Sequence, residues 1–384
     1  MINSQLFTWL DRIAAMTVKE VRQLTRDPVL TIVIVYFFTL DIYIAGTGIQ
    51  MDLRRASVMV LDHDHSAASR ELTYRFQPPY FDVRGELTSE QEAGVLLDRG
   101  EVLAVLDIPA DFQHDLISGR RVSVQLQVDA SNSTLGSLAT AYAAQIVADF
   151  GADQGWQRLG LIADHAHSVP FVEDRHRVYY NPNQHDSWFM SISELLTVTT
   201  MLSLMLPAAA AVREKERGTI EQLAVTPLTS TQILLPKVLA MGLIILLGTA
   251  ISLELIIAIG FQLPIKGSTA LFLLVTALYV FATSGLGLFI ATLSRNLGQV
   301  IMLVILIMMP LLLLSGAWTP PEAMPAGIRQ AMYLSPLYYY IEMSYGILLK
   351  GAGIRILWDS LLGLALLGAL IFGFGAWRFR RQFG

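Results

Sequence analysis

Residues 29–49 read VLTIVIVYFFTLDIYIAGTGI. Asp41 is the one charged residue in that stretch. A helix needs about 20 apolar residues to cross the hydrocarbon of a bilayer. The stretch is therefore long enough to span and too long for the core of a signal peptide. It also follows 28 mostly polar residues, so it reads as a retained span. Five further stretches meet the same test: roughly 188–212, 238–260, 270–293, 298–317 and 357–377. The last has Trp358 and Trp377 at its two ends, placed as interface anchors.

The rest of the composition agrees. Apolar residues make up 53% of the 384, and only 15% are Asp, Glu, Lys or Arg, against about 25% in a soluble domain. There is no cysteine. Those figures argue against a soluble enzyme, a disordered chain and a disulfide scaffold, and they exclude thiol catalysis and Cys-based zinc sites. A net charge of −5 is not that of a nucleic-acid binder.

Charge is divided unevenly. Residues 51–187 hold 11 basic and 20 acidic side chains and no Lys; the remainder holds 16 basic and 12 acidic ones. A polar, acidic insert thus sits inside an apolar frame. The positive-inside rule orients that frame. With both termini inside, Arg12, Lys19, Arg22, Arg26, Arg213, Lys215, Arg217, Lys237, Arg295, Arg378, Arg380 and Arg381 are cytoplasmic, and only Lys266, Arg329, Lys350 and Arg355 fall outside. The predicted fold is an α-helical polytopic membrane protein of six spans, one before and five after an extracytoplasmic α/β domain at 50–187. For a bacterial chain the insert is then periplasmic and the frame lies in the inner membrane.

Residues 1–28 read as an amphipathic helix on the inner surface. Leu6, Leu10, Ile13, Thr17, Val21 and Leu24 recur at helical spacing, and Asp27-Pro28 ends the run. In the insert, strands are expected at 57–62, 80–84, 102–108 and 122–128. Helices are expected at 67–76, from Ser89 to Gly100, from Pro109 to Ile117, and over a long stalk, 134–164. The loop 213–237 opens with a charged run and then carries Ile220, Leu223 and Ala224 on one helical face, a projection suited to a cytosolic partner. Residues 318–356 are apolar but broken by Pro320, Pro321, Pro325 and Pro336, which favours re-entrant or interfacial helices.

These pieces together resemble an ABC-2-type transport permease, the membrane subunit of a bacterial ABC exporter. The resemblance rests on Lys19-Glu20 and Arg26-Asp27-Pro28 before the first span, and most specifically on residues 214–228, EKERGTIEQLAVTPL. Ser315-Gly316 leading to Pro320-Pro321 and Pro325, and Leu334-Ser335-Pro336-Leu337 running to Gly351, extend it. Asp64–Ser66, Gly100–Pro109 and Asp129–Ser133 make the insert similar to that of a multidrug-efflux-like subgroup. One departure is Tyr345, where many relatives place a basic residue. The resemblance implies a homo- or heterodimer of permease subunits driven by two separate ATPase subunits, which carry the ATP and Mg. It makes 213–228 a coupling helix and 2–26 a connecting helix, with Lys19, Glu20, Arg26 and Asp27 as its site residues. The chain has no G-x-x-x-x-G-K-[ST] phosphate loop, so no cofactor and no catalytic residue are assigned to it.

Arg213, Glu214, Glu216, Arg217 and Glu221 are the candidate docking and force-transfer residues, with Gly218 allowing a tight backbone. Glu194 lies in a predicted span with Asp41 and Glu254 in others, and intramembrane acids are functional candidates. Met201, Met205, Met302, Met308 and Met309 offer soft lining for a transport path, or plain helix packing. His63-Asp64-His65 and His165-Ala166-His167 have the residue types of a Zn or Cu site, but they are far apart in sequence and a solvated loop explains them better, so no metal is assigned. Asn132-Ser133-Thr134 is a glycosylation sequon without weight in a bacterial chain. The expected function is export of a hydrophobic or amphipathic drug or lipid-like substrate, with membrane lipid and a periplasmic adaptor as further partners and no nucleic acid. Two alternatives stand beside it: a membrane-anchored binding or assembly protein acting through its insert, and an ion-coupled secondary transporter.

Overall fold

The computed structural model describes residues 2–48, 53–131, 133–158, 180–183, 185–218, 229–317, 319, 321 and 324–383. They are mostly helical with one small sheet. The chain separates into two compact units, residues 1–49 with 178–384, and residues 50–177.

Helices α1 (Ile2–Thr25) and α2 (Pro28–Gly48) precede the smaller unit. That unit runs β1 (Ala56–Asp62), α3 (Ala67–Arg75), β2 (Phe81–Glu86), α4 (Glu90–Asp98), β3 (Ala104–Ile108), α5 (Phe112–Ser118), β4 (Gln125–Val128) and α6 (Ser133–Arg158). The sheet order is β2-β1-β3-β4. β1 pairs in parallel with both β2 and β3, and β4 closes the edge antiparallel to β3. A strand flanked in parallel on both sides is covered on both faces. Accordingly Val58, Val60 and Leu61 of β1 are all buried. One face packs on Leu72, Phe76, Phe112, Ala139 and Phe150, the other on Leu87, Ala93 and Val102.

The element types match the sequence pattern, and the ends shift. α5 starts at Phe112 rather than Pro109, because Asp111 sits in the left-handed region at φ 61. β4 keeps only the second half of 122–128. The expected stalk, 134–164, is helical as far as residue 158 within Ser133–Arg158, and the rest lies outside the described residues. At the end of β1, Asp62 is buried and accepts from Asp64 N, His65 N and, at 2.6 Å, the Ser69 hydroxyl. Burial opposes its charge, but those donors outweigh burial and hold its carboxyl below the usual range.

The larger unit adds α7 (Asp186–Glu216), α8 (Ser230–Ile251, continued as a π-helix over Ser252–Gly260), α9 (Thr269–Leu293), α10 (Leu297–Leu313), α11 (Ala326–Ala331), α12 (Pro336–Leu348) and α13 (Ile354–Phe383). Five described helices are long and apolar enough to cross a membrane: α2, α7, α8 with its continuation, α9 and α13. The remaining predicted span, 298–317, is shorter. α10 has 17 residues, about 25 Å against a hydrocarbon core of about 30 Å. It stops at Leu313 and gives way to a turn with Gly316 at φ 82. The proline-broken stretch after it forms α11 and α12, with Pro336 at the first position of α12, where its missing N–H costs nothing.

α7 and α9 are the core of this unit. Within their most apolar windows 78% and 61% of residues are buried, against 22–28% for the other three spans. Between them run polar contacts as well as apolar ones. The Thr200 and Tyr279 hydroxyls lie 2.9 Å apart, and Thr283 donates to Ser203 at 2.8 Å. Tyr279 also stacks on Tyr340 of α12, with centroids 4.1 Å apart. α2 carries a π turn at Phe37–Asp41 that meets the π segment of α8, where the Phe38 carbonyl accepts from the Ser252 hydroxyl.

α9 and α13 touch backbone to backbone. A Cβ on Gly285 would strike the Phe372 backbone, and one on Gly375 would strike the Gly285 backbone. Small residues let helices in lipid approach this closely. Gly373, two residues away, has open space around it. Gly375→Ala is therefore expected to destabilise by about 2 kcal/mol or more through overpacking. Gly373→Ala should be neutral or stabilising by up to about 1 kcal/mol. Thermal unfolding of the detergent-purified chain separates the two, and equal midpoints would contradict the close contact.

Candidate functional site

α1 packs along α8 and turns Glu20 inward, where it is only 3% exposed. Lys237, in the second turn of α8, is 1% exposed. A buried ammonium is tolerated only when paired. Lys237 Nζ lies 2.9 Å from Glu20 Oε1 and 2.5 Å from Glu214 Oε1 at the end of α7. Lys19, at the rim, adds contacts of 3.2 Å to Glu20 and 3.6 Å to Glu214. Two cations and two anions from three helices thus form one cluster. Burial works against the Glu20 charge, but Lys237 and then Lys19 outweigh it and hold the carboxyl below its usual value of 4.5.

A second link lies beside it. Asp27 caps α2 by accepting from Leu30 N at 3.1 Å and takes Arg213 Nη1 at 2.8 Å. The Leu30 N–H, and more weakly the Arg213 guanidinium, keep the Asp27 carboxyl below the usual range. Lys215 Nζ donates to the Ser294 carbonyl at 2.9 Å, and Glu216 accepts from Leu297 N at the start of α10. Arg380 of α13 donates to Thr231 of α8 at 2.8 Å. α7 then ends with Arg217 exposed and Gly218 at φ 66, the left-handed residue that commonly stops a helix. Glu221 and the rest of 219–228 lie outside the described residues.

The sequence-predicted residues are therefore distributed as follows. Lys19, Glu20 and Glu214 meet in the buried cluster, and Asp27 meets Arg213. Glu216 accepts from Leu297 N at the start of α10 and, like Arg26 and Arg217, is exposed. Lys237, the hub, entered the sequence reading only as one inside charge. Its signal was present: a lysine directly after Pro236, inside an apolar run, is an ionisable residue at the edge of a span.

Other candidates lie elsewhere. The carboxyl groups of Asp41 and Glu194 interact across α2 and α7, whereas Glu254 faces outward. Met201, Met205 and Met308 pack against the core of the larger unit, and Met302 and Met309 are 71% and 51% exposed. Tyr345 stacks on Phe189 with centroids 5.2 Å apart. His63 Nε2 lies 3.5 Å from Asp107, and among the described residues no group of three or more His, Asp or Glu gathers as a metal site. His165, His167 and Asn132 lie outside the described residues.

Removing the hub alone leaves two carboxylates buried. Lys237→Met should cost about 3–5 kcal/mol, and Glu20→Gln/Glu214→Gln/Lys237→Met should recover most of it. Because the folded-state pKa of Glu20 is depressed, its contribution is present above pH 4.5 and is lost as pH falls through the folded value. Unfolding midpoints from pH 7 to 3 should show that loss in wild type and less of it in Glu20→Gln. An unaffected Lys237→Met protein would contradict the pairing.

Residues 28–377 match the family model described as ABC-2 family transporter protein. The chain is 33% identical over 367 residues to the inner membrane transport permease YhhJ of Escherichia coli K12, covering 96% of each chain. It is 29% identical to the probable multidrug ABC transporter permease YbhR of the same organism, covering 95% of this chain and 97% of the relative. It is 26% identical to the probable multidrug ABC transporter permease YbhS, covering 91% of each. With the spans and the charged ends of α1, α7 and α8 in place, the match leaves one conclusion: the chain belongs to the ABC-2 family of transporter proteins, as a membrane-spanning permease subunit.

Proposed function

We propose that this permease exports a hydrophobic or amphipathic substrate, drug or lipid-like, from the cytoplasm or inner membrane, and that force from separate ATPase subunits enters through the charged ends of α1, α7 and α8. The family implies ABC ATPase partners; this chain needs only to receive their motion. In this reading α10 is the sixth span, two permease subunits form the pathway, both termini are cytoplasmic, and residues 50–187 face the periplasm and extend the path or receive an adaptor. ATP and Mg stay on the partner.

The observation that carries the reading is the cluster around Lys237. It ties the surface helix α1 to the ends of two long helices, directly before and shortly after residues 219–228. A push on α1 would reach α7, the most buried span, through these ion pairs. The multidrug names of the relatives support the substrate class.

Affinity purification of the tagged full chain from native membranes tests this. An ATPase should accompany wild type and be reduced about tenfold or more in Glu216→Lys/Arg217→Glu. Glu216→Gln, which keeps an acceptor for Leu297 N, should retain it. A wild-type complex without any ATPase would remove the subunit reading. One observation, the Asp41–Glu194 contact, favours ion-coupled transport as a second reading; proton-driven uptake into vesicles without ATP, lost in Asp41→Asn, would establish it instead.

A further inference from the structure

The charged end of the larger unit holds a second feature beside the ion-pair cluster. A cleft of about 610 Å³ is lined by Lys19, Arg22, Gln23, Arg26, Asp27, Pro28, Arg213 and Arg217. Five of those side chains are cationic and one is anionic. Lys19, Arg22 and Arg26 follow one another at spacings of three and four, so they share one stripe of α1. Arg213 and Arg217 do the same on α7. Like charges at these spacings repel. Lys19 and Arg213 have acidic partners, but Arg22, Arg26 and Arg217 have none among the described residues. Arg213 Nε is also buried without an acceptor among the described residues. Two facing cationic stripes with unmatched donors ask for an anion.

Where the cleft lies decides which anion. Pro28, the first residue of the first span, forms part of its wall. Just beyond, Val29 and Ile32 are 71% and 67% exposed, an apolar surface beginning where the charges end. A ligand with an anionic head and apolar tails fits that sequence of surfaces. Arginine suits the head, because its planar fork meets phosphate oxygens in pairs. The geometry points to a binding site for the phosphate of an anionic phospholipid, held by Arg22, Arg26 and Arg217 between α1 and the end of α7, with its acyl chains along Val29 and Ile32. The lipid wedges the surface helix against the span it precedes, and it makes the charged end of the bundle sensitive to the composition of the adjoining leaflet.

The test uses the full chain purified in mild detergent, with lipid retention counted by native mass spectrometry. Dioleoyl-phosphatidylglycerol should be retained about tenfold better than dioleoyl-phosphatidylcholine, and Arg22→Gln/Arg26→Gln should weaken it by about tenfold to thirtyfold. Arg22→Lys/Arg26→Lys, which keeps the charge, should stay nearer to wild type. Should the Gln variant fail to purify, wild-type retention of phosphatidylglycerol should fall as salt rises from about 0.1 to 0.5 M. Equal retention of the two lipids, an unchanged Gln variant or indifference to salt would overturn the proposal. So would release of the lipid by millimolar inorganic phosphate, which would assign the cleft to a soluble anion. Release on adding the co-purifying ATPase would assign it to protein docking and overturn the proposal as well.

Discussion

An ammonium group cannot be left alone in a protein interior. Lys237 is almost wholly buried, and everything at its end of the molecule is arranged around that fact. Glu20 comes from α1 and Glu214 from α7, and together they meet ammonium protons that one carboxylate alone would leave unmet. The pairing therefore dictates where a surface helix may rest on the bundle. Such clusters contribute little net stability compared with well-packed apolar residues. What they contribute is position: α1 has one place where its buried acid is satisfied, and a slide of one turn would strand it.

Much of the frame was legible because hydropathy is a one-dimensional signal. Stretches such as 29–49 and 357–377 declare themselves by length alone, and the strand and helix types of the insert follow from local pattern. Ends were less legible. β4 lost its first residues and α5 started late because left-handed Asp111 and edge pairing are decided by neighbours in space. α10 fell short for a similar reason: its apolar composition continues past Leu313, but the backbone turns at Gly316.

The site divides the same way. Motif residues Lys19, Glu20, Asp27, Arg213 and Glu214 could be marked from sequence, yet nothing in sequence says that Glu20 and Glu214 share one lysine 217 and 23 positions away. Long-range pairing has no local signature. Glu216, read as a docking charge, also receives the Leu297 N–H at the start of α10, a contact without a local signature of its own. Asp41 and Glu194, read as separate intramembrane acids, turn out to be neighbours across two spans.

The π turn at Phe37–Asp41 carries a consequence for how the first span can vary. A π turn houses one residue more than an α turn of the same rise, and each residue rotates a helix by about 100°. Deleting a single residue there would let the helix revert to regular winding while Ile42 and Gly46 keep their azimuth and stay in the core, because the turn and its rise are unchanged. Only the local contact, the Phe38 carbonyl presented to Ser252, would be lost. A one-residue deletion in the regular winding on either side has no such slack and would swing everything beyond it by about 100°.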